Sequence, residues 1–313
     1  MARLFARFIA LAFVLVTPLT ALPALATVSG QNGRIAFVSD ADGDDDIYTM
    51  NPDGSGLVQV TNAPDQNGFP VMDANPAWSP DGRSIAFERT TTTPGSPDPV
   101  ERRDIWIMAA DGSEQRLVAD GVEPSWSPDG RSIALNMGSV GVVNGLPTSV
   151  IAVVDLALGD VTVLTDPGDW VSIGGGSTST DYSPVWAPDG KDIVFLRSRS
   201  PATPMSSYTD LMAVDVVSGT TRTYSWFGRW AGSIDVSPDS NRVVGAIFRS
   251  ITTTAPEVYV YNIEAGSLSI VSPPTGNIYA PSGDLLTVNF EAIEGREPAW
   301  QPVNPYPLGL VDP

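Results

Sequence analysis

The densest group of chemistry-bearing residues is Asp40–Asp46, read D-A-D-G-D-D-D. Side-chain oxygens at alternating positions around a glycine are what a hard cation such as Ca²⁺ binds. Asp40, Asp42, Asp44 and Asp46 are therefore the candidate metal ligands. The bidentate Glu that closes an EF-hand loop would fall at position 51, which is Asn51, so that motif is not met. D-x-D-G also serves as a plain solvated hairpin turn, and that alternative stays open. A second group is Tyr224–Trp230, Y-S-W-F-G-R-W. Trp226 and Trp230 are of the type that stacks on a sugar or a peptide, with Arg229 as a polar contact. The same aromatics would also suit packing between neighbouring sheets. Trp170, in the Gly-rich stretch Asp166–Thr180, is the third aromatic candidate for a binding face.

Other chemistries are excluded by residue type. The chain has no histidine and no cysteine. That removes Ser-His-Asp and Cys-His nucleophiles, His-ligated zinc, His proton shuttles and disulfides. No G-x-S-x-G is present either. A glycosidase needs only a carboxylate pair, and 36 acidic residues leave that open without marking one pair by spacing. No cofactor is expected beyond the candidate Ca²⁺.

Residues 1–26 read as a secretory signal peptide. Arg3 and Arg7 give a positive start, Phe8–Val16 is a short apolar run, and Ala24-Leu25-Ala26 is a small-x-small cleavage site. The apolar run is shorter than the roughly 20 residues of a membrane span, and no later stretch is long enough. The expectation is an exported protein, periplasmic or extracellular, with no transmembrane segment after cleavage. Loss of Arg3 and Arg7 moves the formal charge from -19 to -21. Such a chain repels phosphate backbones, so nucleic acid is not an expected partner. Neutral or basic partners remain, namely a protein or glycan of the envelope or the extracellular space, met by a monomer.

The elements that must position these residues are repeats. Pro76–Phe87 reads P-A-W-S-P-D-G-R-S-I-A-F. It returns at Pro124–Leu135 and, with drift, at Pro184–Phe195, Ile234–Val244 and Pro298–Pro302. The aligned positions Trp78, Trp126, Trp186, Val236 and Trp300 lie 48, 60, 50 and 64 residues apart. Each unit reads as four short antiparallel strands, named A to D here. Strand A is P-x-W-S, B is S-I-A-F, C is of the type D-I-W-I-M and D is of the type Q-R-L-V. In the A–B turn S-P-D-G, Pro sits at i+1 and Gly at i+3 of a type I turn. Four-stranded units of this length predict an all-β fold, a β-propeller of four-stranded antiparallel blades. Five units are clear. Gly276–Glu297 holds either a further hairpin of a sixth or a long return loop, so five or six blades are expected. The first unit lacks strand A, and Pro298–Pro302 is a strand A with no B. Pairing the two would close the ring, making residues 27–313 a single domain.

P-x-W-S-P-D-G-x-x-I-A-F followed by D-I-Y/W-x-M-x-x-D-G resembles the WD40-like PD40 repeat of the TolB C-terminal propeller, over nearly all of Gly33–Pro302. The resemblance implies a propeller fold. It does not imply one function, because such propellers occur in the Tol–Pal envelope system, in peptidases and in many exported proteins of no known role. The sequence departs from a full TolB in having only Thr27–Asn32 before its first strand, and from the peptidases in lacking histidine.

In a propeller, A–B and C–D turns share one face, and B–C and D–A connections share the other. The turns here are tight. The long connections are Arg89–Arg103, Met137–Thr148, Arg197–Asp210, Arg249–Glu257, Asn62–Asn75, Asp166–Ser183 and Ser272–Glu297, all on the second face. Loops displayed by a rigid scaffold carry function. The expectation is therefore a non-enzymatic propeller that binds through this long-loop face, with a carboxylate-based glycan enzyme as the alternative.

Overall fold

The computed structural model describes residues 33–95, 100–143, 146–166, 178–200, 208–226, 231–247, 257–270, 278–279, 285–286 and 299–300. Every helix or strand among them is a strand. The first sheet contains β1 (Ile35–Ser39), β2 (Asp46–Met50) and β3 (Val58–Gln59). The second holds β4 (Met72–Trp78), β5 (Ser84–Thr93), β6 (Val100–Ala109) and β7 (Arg116–Asp120). The third holds β8 (Val122–Trp126), β9 (Ser132–Val143), β10 (Leu146–Asp155) and β11 (Val161–Val163). The fourth holds β12 (Thr178–Trp186), β13 (Asp192–Ser200), β14 (Tyr208–Asp215) and β15 (Thr221–Trp226). The fifth holds β16 (Ala231–Val236), β17 (Arg242–Ile247), β18 (Glu257–Asn262) and β19 (Ser267–Ile270). A two-stranded sheet follows, β20 (Ile278–Tyr279) with β21 (Leu285–Leu286). The last strand, β22 (Ala299–Trp300), runs antiparallel beside β1, with Ala36 opposite Ala299 and Ile35 opposite Trp300. The first sheet is thus four-stranded too. Five four-stranded antiparallel blades form a propeller ring. No helix among the described residues is long and apolar enough to cross a membrane.

Why the repeat folds this way is visible in its bonds. Ser79 Oγ donates to Asp81 Oδ1 at 2.7 Å, and the same carboxylate accepts from the Arg83 N–H at 3.1 Å. The Gly82 N–H returns to the Ser79 carbonyl at 2.9 Å, with Gly82 at φ +67°. Ser127, Asp129 and Gly130 repeat the arrangement. The proline of P-x-W has its own reason. A proline cannot donate to a ladder and is held at a bulge. The A–B ladders shift register across Ala74/Ala77, Val122/Ser125 and Tyr182/Val185. The residue before each proline, Asn75, Glu123 or Ser183, takes φ of 50° to 57°.

The core lies between blades. Trp78 packs with Ala36, Ile47, Ile85 and Phe87 from the first two sheets. Trp186 packs with Ile151, Ile193 and Phe195 from the third and fourth. Each fully buried aliphatic side chain contributes roughly 1.5–3 kcal/mol. These clusters make neighbouring blades one body.

The connections read as long loops are shorter than expected. β5 and β6 stay paired from Ser84↔Ala109 out to Thr93↔Val100. β9 and β10 stay paired to Val143↔Leu146. β4 begins at Met72 and β12 at Thr178, inside stretches expected to be loop. The β-branched run Thr90–Thr93 and the valines 140, 142 and 143 favour extended backbone, so the ladder continues past the buried part of the blade.

Candidate functional site

At the long-loop end, the connection between β1 and β2 carries the aspartate run. Asp42, Asp44 and Asp46 converge, with carboxylate oxygens within 4.8 Å of one another. Asp40 lies outside that group. Asp46 is 1 % exposed. Its Oδ1 accepts from Thr61 Oγ1 at 2.9 Å and its Oδ2 from Gln59 Nε2 at 2.9 Å. Gln59 also donates to Asp42 Oδ2 at 2.6 Å. The donors come from β3 and the residues just after it, so two strands of one blade hold the group. Burial pushes the Asp46 carboxyl up to about 6; the hydrogen bonds from Thr61 and Gln59 oppose this, and the charges of Asp44 and Asp73 add to it. Asp44 is also raised, first by burial and then by Asp42, Asp65 and Asp45. The cluster is crowded with negative charge, and its most buried member already has both oxygens bonded.

Next to this group lies a feature that the sequence reading missed. The Asp73 N–H donates to the Asp45 carbonyl at 2.7 Å, tying the aspartate loop to β4. The Asp73 side chain, fully buried, accepts from Arg89 Nε at 2.7 Å and Nη2 at 2.6 Å. The Arg89 guanidinium lies 5.1 Å from the Phe87 ring centre and 4.8 Å from that of Trp106. The fourth blade repeats the arrangement. Arg197 Nε and Nη2 donate to Asp181 at 2.6 and 2.7 Å, with the guanidinium 5.5 Å from the Phe195 ring. The sequence signal existed, because Asp73 and Asp181 precede the repeat tryptophan by the same interval and Arg89 and Arg197 follow the repeat phenylalanine by the same interval. The third blade has Gly121 and Met137 at those places.

A polar chain links the first strands of successive blades. Asn75 Nδ2 donates to Glu88 Oε2 at 2.8 Å, and the Ser183 N–H and Asn136 Nδ2 donate to Glu123 Oε2 at 2.6 and 3.3 Å. Burial raises the Glu88 carboxyl, and the Asn75 hydrogen bond and the charge of Arg103 oppose this. In the fourth blade Arg199 pairs with Asp210 at 2.8 Å. The carboxylates of this end are largely occupied by arginines, amides and backbone N–H groups. That is the chemistry of a braced scaffold.

Of the aromatic candidates, Trp226 ends β15 opposite Asp210 in the ladder. Trp170, Arg229 and Trp230 lie outside the described residues. At the opposite, tight-turn end, a groove of about 630 Å³ opens between the second and third blades, lined in part by Asp81, Glu114, Arg116, Trp126 and Asp129.

The family model of the TolB beta propeller domain (PD40) matches residues 26–223. No curated protein sequence matches. Among solved structures, TolB from Acinetobacter baumannii aligns with a TM-score of 0.59 at 19 % identity, covering 89 % of this chain and 69 % of that one. A putative TolB from Agrobacterium tumefaciens aligns at 0.42 and 17 %, covering 76 % and 88 %. An oligogalacturonate lyase from Vibrio parahaemolyticus aligns at 0.43 and 13 %, covering 81 % and 78 %. At 19 % identity the likeness to the Acinetobacter baumannii TolB is one of fold.

Proposed function

We propose, for a chain that belongs to the TolB beta propeller domain family, an exported binding scaffold whose partner is a protein or glycan of the cell envelope. The partner docks on the long-loop end. One observation carries this reading: the B–C hairpins of the second and third blades run as ladder-paired strands of 10 to 12 residues, whereas β1 and β2 of the first blade have 5 each. Backbone pairing gives these projections a fixed shape, which keeps the ordering cost of binding low. The acidic charge favours neutral or basic partners. Against a carboxylate enzyme stand the hydrogen bonds and ion pairs that already occupy Asp46, Asp73, Asp181 and Glu123.

Export rests on the Arg3–Ala26 signal pattern. N-terminal sequencing of the secreted or periplasmic fraction should read from Thr27; an uncleaved Met1 in the membrane fraction would contradict it. For docking, residues 90–103 are replaced by an Asn-Gly turn. Pull-down from the native envelope should lose its partner, whereas full retention would sink the proposal.

The Asp42, Asp44 and Asp46 group is where Ca²⁺ would bind, and calorimetric titration decides it. Heat together with a raised melting temperature supports the ion; neither leaves a hydrogen-bonded turn. We also propose that β22 closes the ring against β1. The chain has no cysteines, so Ala36→Cys with Ala299→Cys gives a clean test. Directly opposed residues lie within disulfide reach. A bond that forms on air oxidation and raises the melting temperature supports closure; free thiols in the folded chain would contradict it.

A further inference from the structure

The turn end holds one place where the repeat is broken in the same direction by two residues at once. In the first blade the C–D turn runs from Asn51 to Gly56, with the Asn51 N–H bonded to the Ser55 carbonyl and the Gly54 N–H to the Asn51 carbonyl. In the second blade the same bonds join Ala109 to Ser113 and Gly112 to Ala109. Gly56, at φ +65°, therefore corresponds to Glu114, at φ +56°. A glutamate occupies a left-handed position that suits glycine, and it lines the groove between the second and third blades. The second residue is Trp126. Its equivalents Trp78 and Trp186 are buried, and their indole N–H groups have no hydrogen-bond partner. Trp126 is only partly buried, lines the groove, and is fixed by donating to the Ala77 carbonyl at 3.0 Å.

We propose that this groove is a second binding site, distinct from the long-loop end, and that it takes a lysine- or arginine-bearing peptide segment. Its volume of about 630 Å³ falls within the range of ligand clefts. Asp81, Asp129 and Glu114 face one cation, Arg116, so the lining is net negative. Oδ1 of Asp81 and of Asp129 holds its own turn, which leaves Oδ2 of each outside that bonding. Neither the Glu114 nor the Arg116 side chain makes a hydrogen bond or ion pair among the described residues, although the Arg116 backbone pairs with Ile107 in the β6–β7 ladder. The Trp126 ring supplies an aromatic surface of the kind that attracts a side-chain cation. Arg116 is placed to meet a peptide carbonyl, which a lone amine would not provide.

The test uses the full mature chain and a fluorescein-labelled, end-blocked pentapeptide, Gly-Lys-Lys-Lys-Gly, read by fluorescence polarisation. Glu114→Gly restores the residue type of the first blade's turn, so its melting temperature should hold or rise. Its affinity should fall about fivefold or more, and that of Trp126→Phe about threefold, within the range of cation–π and ion-pair contributions. Asp53→Asn, which removes one charge from the first blade's turn, should leave affinity unchanged. The proposal is overturned if the wild type does not bind this peptide, or binds an uncharged oligosaccharide instead. It is equally overturned if Glu114→Gly binds as well as wild type, or if Asp53→Asn weakens binding as much as Glu114→Gly. Should Glu114→Gly lose stability, Asp129→Asn replaces it with the same expected loss.

Discussion

The two ends of the ring are built on different logic. At the turn end the repeated bonds close within a few residues: Ser79 holds Asp81, Ser127 holds Asp129, and Ser237 holds Asp239, with cross-blade bonds from Trp126 to the Ala77 carbonyl and from the Asp189 N–H to Ser240 Oγ added to them. At the long-loop end the bonds join residues far apart in sequence and often in different blades. Asp73 takes Arg89 from the next strand, its N–H reaches the Asp45 carbonyl of the preceding blade, and Glu123 accepts from Ser183 of the following one. Local bonds can repeat with little regard for the neighbouring blade. Non-local bonds tie the placement of one blade to the next, and they gather where the hairpins project.

The sharpest way to break this comparison is to remove one partner of a buried pair. Arg89→Met leaves the Asp73 carboxylate buried and unpaired, at an expected cost of about 3–5 kcal/mol in urea denaturation. The double variant with Asp73→Leu should recover most of that loss. A loss below that of a turn substitution would erase the distinction between the ends.

The next largest effect is in pH. The folded-state value for Asp46 is about 6 against the usual 3.8. Between those values the folded chain keeps a proton that the unfolded chain has released, so stability falls as pH rises through that window. The size is on the order of 2 kcal/mol. Asp235, also raised to about 6 by burial, acts in the same direction. Melting temperature should therefore drop from pH 4.5 to pH 7, and Asp46→Asn should flatten part of the drop. An unchanged slope would remove the buried aspartate cluster from the account.

Smallest is the turn itself. Ser79→Ala removes the hydroxyl that donates to Asp81 and accepts from the Ser84 N–H at 2.9 Å. About 1 kcal/mol should be lost, and Ser127→Ala should match it, because the two turns share their bonds.

The same division explains what could be read from sequence. The turn end was legible because S-P-D-G spells its own bonding, and five copies of one motif set the blades. The hairpins were not, because Thr90–Thr93 shows no apolar alternation. The ladder to Val100–Arg103 extends them, and a ladder leaves no side-chain period. Alternation suggested four ligands, but the chain brings together Asp42, Asp44 and Asp46 and holds them with Gln59 and Thr61, whose role is invisible without the fold. The Asp73–Arg89 and Asp181–Arg197 pairs were legible in principle, through aligning the second and fourth repeats against each other rather than against the motif alone. Glu114 was hidden for a related reason: its meaning lies in the backbone angle it shares with Gly56.

The claim that a partner docks on the long-loop end is tested most directly by site-specific photo-crosslinking in the native host. Benzoylphenylalanine is placed at Thr93, at the end of β5, or at Val217, which is 96 % exposed on the turn end of the fourth blade. A discrete adduct from position 93, absent from position 217, is the predicted result. Adducts from position 217 with none from position 93 would contradict it.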